Sequence, residues 1–175
     1  MSKKVAIAAV NPVNGLGLFQ YLEGFYENKI EYKVFAVAPD VNIKSNSGIA
    51  LKVDGTIGEL VGRADEYDAL VFSCGDAVPV FAQHAGEPYN MALFKVIKEF
   101  ADKGKMMIGH CGAGLIFDLA GAGAGHKVAV HPMVKAIVQK AVATDAPYEI
   151  DGNFYTAQEE HELPLLMPHL IEVLK

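Results

Sequence analysis

KMMIGHCGAG, residues 105–114, decides how the chain folds. Met106, Met107 and Ile108 form a short apolar run that reads as a buried strand. Gly109 to Gly114 then compress a sharp turn around His110 and Cys111, and LIFDLA (115–120) opens a helix. Strand, tight turn and helix with a nucleophile at the bend is the layout of a nucleophile elbow, here with cysteine at its tip. Gly109 and Gly112 read as the residues that leave room for the turn and adopt positive φ. A serine-hydrolase elbow would have glycine at 113, where this chain has Ala113. A thiol at the start of a helix faces unpaired N–H groups and the positive end of the helix dipole. Both favour the thiolate, which is the reactive form. The plain alternative is a buried cysteine at a junction whose glycines only permit close packing.

Working outward, Val5–Val10 is a continuous apolar run, as expected of a central parallel strand. LGLFQYLEGFYENK (16–29) carries apolar residues at helical spacing, and Glu31–Ala38 reads as the second strand. PDVNIKSNSG (39–48) reads as a polar loop, Ile49–Val53 as a short hairpin arm turning at Asp54-Gly55, and TIGELVGRAD (56–65) as a short helix. Tyr67–Cys74 is a further buried strand. Tyr89–Lys103 is an amphipathic helix with Met91, Leu93, Phe94, Val96, Ile97 and Phe100 inward, stopped by Gly104. Beyond the elbow, KVAVH (127–131) reads as a strand ended by Pro132, and MVKAIVQKAVAT (133–144) as helical. PYEI and FYTAQ flank Asp151-Gly152-Asn153 as a late hairpin, and the terminal helix 162–175 is expected to break near Pro164 and Pro168.

Strands alternating with helices imply an α/β fold, a doubly wound parallel sheet covered on both faces. No linker, repeat or low-complexity tract interrupts the 175 residues, so 1–175 reads as a single domain. In such sheets the site lies beyond the carboxyl ends of the strands. Asn14, Cys74–Asp76, Cys111 and His131 all fall at predicted strand ends, where one crevice could gather them.

The bulk composition removes several classes. An apolar fraction of 51% with 21% charged residues fits a soluble globular protein. A formal net charge of −6 and the lack of a Lys/Arg run argue against nucleic acid. The run VAIAAV is too short for a signal-peptide core or a membrane span. Two cysteines make no disulfide framework, so a reducing, cytoplasmic setting is expected. Gly15-Leu16-Gly17 resembles a dinucleotide loop but lacks the third glycine and the acidic end of a second strand. Gly121–Gly125 follows a helix, and the six histidines show no metal spacing, so neither cofactor nor metal is expected. His84, His161 and His169 read as surface or helix-face residues. Glu159-Glu160-His161-Glu162 reads as a solvated helix start.

Four segments in order resemble the ThiJ/PfpI family, the intracellular protease I-like proteins of the class I glutamine-amidotransferase-like superfamily. They are YDALVFSCGD (67–76), GHCGAG (109–114), GHKVAVHP (125–132) and DGNFYTAQ (151–158). The resemblance spans nearly the whole chain and implies a flavodoxin-like fold, a homodimer or higher homo-oligomer, and a role in hydrolysis or stress response. It implies that Cys111 is the catalytic cysteine and His131 its proton partner. It also implies that the backbone N–H groups of Gly75 and Gly112 form an oxyanion hole. Asn14, Cys74, Asp76 and His110 would line the site, with His110 pointing away from the cysteine.

Two departures stand out. Asn14 occupies the first-loop position where the family carries a glutamate, and an amide cannot act as general acid or base. Cys74 stands where the family has glycine, either as a small buried residue or as a redox partner for Cys111. The expectation is therefore a cysteine-dependent hydrolase acting on a small-molecule or peptide carbonyl or acyl substrate. The alternatives are a non-catalytic thiol redox sensor, or a glyoxalase- or deglycase-like enzyme weakened by Asn14. A nucleotide-binding module ranks below these.

Overall fold

The computed structural model describes residues 3–175. In chain order the elements begin with β1 (Lys4–Val10), α1 (Gly15–Glu27), β2 (Glu31–Val37), β3 (Asn42–Lys44), β4 (Ala50–Lys52), β5 (Gly55–Thr56) and β6 (Ala69–Ser73). They continue with α2 (Pro88–Asp102), β7 (Met106–His110), α3 (Ala113–Leu119), β8 (Lys127–Ala129) and β9 (Val142–Thr144). The chain closes with β10 (Tyr148–Asp151), β11 (Phe154–Ala157) and α4 (Leu163–Leu174). A seven-stranded sheet runs in the order β10-β11-β7-β6-β1-β2-β5. Its pairings are parallel except for β10 with β11. This is the expected α/β architecture, with one antiparallel strand closing an edge.

The continuous apolar runs are the central strands for a simple reason. β1 and β6 are covered on both faces, so they have no solvent side on which to place polar residues. Side chains alternate between the faces. Ala6, Ala8 and Val10 join one core with Leu70, Phe72, Phe100 and Phe117 under α2 and α3. Val5, Ile7 and Ala9 join the other with Tyr21, Phe25, Leu166 and Leu170 of α1 and α4.

Several local expectations give way to tertiary contacts. Ile49–Val53 does not turn at Asp54-Gly55. Instead β4 pairs backward with β3, inside the stretch read as a loop, and Gly55 starts an edge strand beside β2. Residues 56–65 form two 3-10 turns, Ile57–Leu60 and Ala64–Glu66, divided at Gly62 with φ +79°. Met91 lies on the outer face of α2, 52% exposed. α4 runs through Pro168, losing one bond to the Pro164 carbonyl while Leu163, Leu166, Met167, Leu170 and Leu174 stay buried.

The largest correction concerns 127–144. β8 does not enter the main sheet, and 133–144 is not a helix. A 3-10 turn over Pro132–Ile137 leads to β9, which pairs parallel with β8. The cause is Asp118 in α3, whose buried carboxylate accepts N–H bonds from Gln139 (2.9 Å), Lys140 (2.8 Å) and Ala141 (2.8 Å). Those amides are thereby unavailable to a helix. Burial pushes the Asp118 carboxyl up, but the three amides outweigh it and hold the group below its ordinary value. Replacing Asp118 with Ala leaves three N–H groups without their acceptor, the buried Ala141 N–H most of all, so urea denaturation is expected to show a loss of about 2 kcal/mol. Asp118→Asn should lose less.

Candidate active site

Loops from the carboxyl ends of four adjacent strands meet at one place. β1 leads to Asn14, β6 to Cys74, Gly75 and Asp76, β7 to Cys111 and Gly112, and β11 to Glu159 and Glu160. The turn after β8 adds His131. Together they wall a cavity of about 450 Å³ whose apolar side is Val78, Pro79, Met133, Val134 and Ile137.

Cys111 sits on the bend. Its φ is +58°, the left-handed region that side chains other than glycine seldom occupy. This corrects the reading of the glycines, because Gly112 has φ −83° and it is the cysteine that carries the unusual conformation. The glycines serve close approach instead. A Cβ at Gly109 would lie 2.3 Å from the Ala113 Cβ, and one at Gly112 would lie 2.7 Å from the Val78 Cγ1. The conformation costs on the order of 1–3 kcal/mol and persists because the backbone is held on both sides. The Cys111 N–H donates to the Ala157 carbonyl at 3.2 Å, and its carbonyl accepts the His131 N–H at 3.0 Å.

The two thiols are in contact. Buried Cys74 lies beside the Cys111 sulfur, and the two thiols ionise as an interacting pair. The neighbouring thiol holds the Cys111 thiol below the ordinary cysteine value, against burial and the charges of Glu160 and Glu159, with help from the Gly112 N–H. The same interaction, followed by burial, pushes the Cys74 thiol well up. The Gly112 N–H also donates to the Cys74 Sγ at 3.4 Å, and the Gly75 N–H faces the same sulfur. The two amides expected to form an oxyanion hole therefore converge, with the Cys74 sulfur at their focus.

His131 reaches the cavity, but its ring is engaged. Nδ1 accepts the Met133 N–H at 3.1 Å and Nε2 lies 2.9 Å from the Glu159 Oε1. His131 is thus part of a histidine–glutamate pair in the wall. Asn14 caps α1, its Oδ1 accepting the Gly17 N–H at 2.6 Å. Its amide donates to the Glu160 Oε1 at 3.3 Å. Asp76 lies exposed at the rim. His110 is fully buried, with Nδ1 3.0 Å from the Tyr21 hydroxyl and Nε2 without a partner. Burial pushes its pKa down to about 4, with the Glu160 charge opposing.

Glu159 and Glu160 are what the sequence reading missed. They look like the solvated start of α4, yet they line the cavity. The available signal was the hairpin ending at Ala157: β11 pairs with β7 so that Ala157 lies beside His110, which brings the next residues to Cys111.

Residues 3–173 match the DJ-1/PfpI family, and the chain belongs to that family. The protein ppBat of Bacteroides thetaiotaomicron is 60% identical over 175 residues, covering all of both chains. A crystal structure from the same organism, described as "the putative protease I", superposes with a TM-score of 0.98 at 60% identity, over 99% of this chain and 100% of that one. Drosophila melanogaster DJ-1beta has the same fold, with a TM-score of 0.85 at 15% identity over 99% of this chain and 91% of its own. The flavodoxin-like α/β expectation holds. Among the described residues no helix is long and apolar enough to cross a membrane.

His110 generates a pH prediction. Its pKa is 6.5 when free and about 4 here, so between those values the unfolded chain binds the additional proton and stability is lost as pH is lowered. The contribution is complete above pH ~6.5, and about 3 kcal/mol of it is gone by pH ~4. Urea denaturation of the wild type and His110→Gln across that window should show the difference between them shrinking by about that amount on acidification.

Proposed function

We propose that this protein is a cysteine-dependent hydrolase of the protease I type, with Cys111 attacking the carbonyl carbon of a small acyl or carbonyl compound. The supporting observation is a cysteine held at positive φ on a strand–helix bend, with a neighbouring thiol stabilising its anion, beside a cavity of about 450 Å³. Attack forms the Sγ–C bond and places negative charge on the carbonyl oxygen. The N–H groups of Gly75 and Gly112 turn from the Cys74 sulfur, a weak acceptor, to that oxygen. As the leaving group departs it takes a proton from Cys74 or from the Glu159–His131 pair, and water later releases the acyl group. Glu160 provides the carboxylate that the first loop lacks, which also restores the glyoxalase-like alternative to consideration. The whole chain acts as one domain in this reading, in the cytoplasm. The exposed Leu16, Phe19 and Tyr26 on one face of α1 are the apolar surface that a homodimer would cover.

A second reading has a specific observation in its favour, the closeness of the Cys74 and Cys111 thiols. In a thiol sensor, peroxide would transfer one oxygen to Cys111 as sulfenic acid, and Cys74 would displace it as water to form a disulfide. Screening of p-nitrophenyl esters and small aldehydes discriminates. Turnover that falls about 10³-fold or more in Cys111→Ala supports the enzyme. Absence of any turnover together with a peroxide-dependent 74–111 linked peptide would transfer the assignment to the sensor. Full activity in Cys111→Ala would refute both uses of that sulfur.

A further inference from the structure

The cavity beside Cys111 carries three carboxylates, those of Asp76, Glu159 and Glu160, and no lysine or arginine. Elsewhere five acids, Glu31, Asp65, Glu66, Asp102 and Asp145, each pair with a lysine or arginine. Among the described residues none of the three cavity carboxylates has such a pair. Glu159 meets His131 and Glu160 meets the Asn14 amide. Lys135, on the turn that carries Met133 and Val134, is directed to Asp145 at 2.5 Å. The charges of Glu159 and Glu160 both oppose ionisation of Cys111, so both act at the reacting sulfur.

A separate observation also points to a ligand. His110 lines the same cavity, and its Nε2 is fully buried with no partner among the described residues. Whichever tautomer the Tyr21 hydroxyl selects at Nδ1, Nε2 is left as either a donor or an acceptor facing no protein group. A buried polar atom in that state is costly unless something that enters the cavity meets it.

From these features, and resting on the cysteine-enzyme reading above, we infer that the substrate of Cys111 is a small cation: a carbonyl or acyl compound bearing an ammonium or guanidinium group. Its charge lies against Glu160, Glu159 and Asp76, its hydrocarbon part against Met133 and Ile137, and a polar atom meets His110 Nε2. The same carboxylates repel carboxylate and phosphate compounds. A bound cation also offsets the charges that oppose Cys111 ionisation, so the thiolate forms more readily when the substrate is in place.

The test uses Cys74→Ser, in which Cys111 is the single thiol. Two methanethiosulfonates of similar size are compared at mildly alkaline pH, one ending in trimethylammonium and the other in sulfonate. Each forms a disulfide between Cys111 Sγ and the thioethyl sulfur of the reagent and expels methanesulfinate. Rates are normalised to those of the same reagents with N-acetylcysteine amide. The cationic reagent is expected to be favoured about tenfold or more, and the ratio to fall in Glu160→Gln and again in Asp76→Asn. A ratio near one, a preference for sulfonate, or a ratio unchanged in both variants with native circular dichroism would overturn the inference. Labelling needs no turnover, so the two readings separate. A cation preference without hydrolysis of any ester removes the hydrolase and keeps the charge selectivity. Equal hydrolysis of cationic, neutral and anionic esters keeps the hydrolase and removes the selectivity.

Discussion

Two backbone hydrogen bonds hold the site together: Ala157 accepts the Cys111 N–H, and His131 donates to the Cys111 carbonyl. They fix the cysteine in a conformation that an isolated chain would avoid, and they do so from two segments distant in sequence. One bond ties the bend to the end of β11 and the other to the turn after β8. The same bonds therefore place the loops that bring in Glu159 and His131 itself. Backbone strain at Cys111 and the composition of the cavity wall share one cause.

Around that fixed sulfur, opposing influences are balanced. The Cys74 thiol and the Gly112 N–H favour the anion, while burial and two carboxylates oppose it. The outcome is a thiol held below its ordinary value next to acidic side chains that are not neutralised by any lysine or arginine. Cys74 matters twice, as the thiol beside the nucleophile and as the residue on whose sulfur the Gly75 and Gly112 amides converge. A glycine at that position would supply neither contact.

The central fold was legible because it follows from local physics. β1, β6 and β7 are apolar without alternation, as strands buried on both faces must be, and the elbow follows from the crowding of glycine around one cysteine. The late hairpin was legible from Asp151-Gly152 at its turn. What was not legible depends on distant partners. Residues 133–144 have helical periodicity, yet Asp118 takes the amides that a helix would need. Asn14 reads as a departure from the family's glutamate, and nothing local shows that capping α1 and holding Glu160 occupy its side chain. Glu159 and Glu160 look solvated in isolation, and only the pairing of β11 with β7 brings them to Cys111.

The account stands on the ionisation of Cys111 and on the thiol that promotes it. Thiolate absorbance in the far ultraviolet, titrated against pH in the wild type and in Cys74→Ala, reads that directly. The account predicts a first wild-type ionisation below the ordinary cysteine value, moving upward when Cys74 is removed. An ionisation at or above the ordinary value, or one that Cys74→Ala leaves in place, would contradict it.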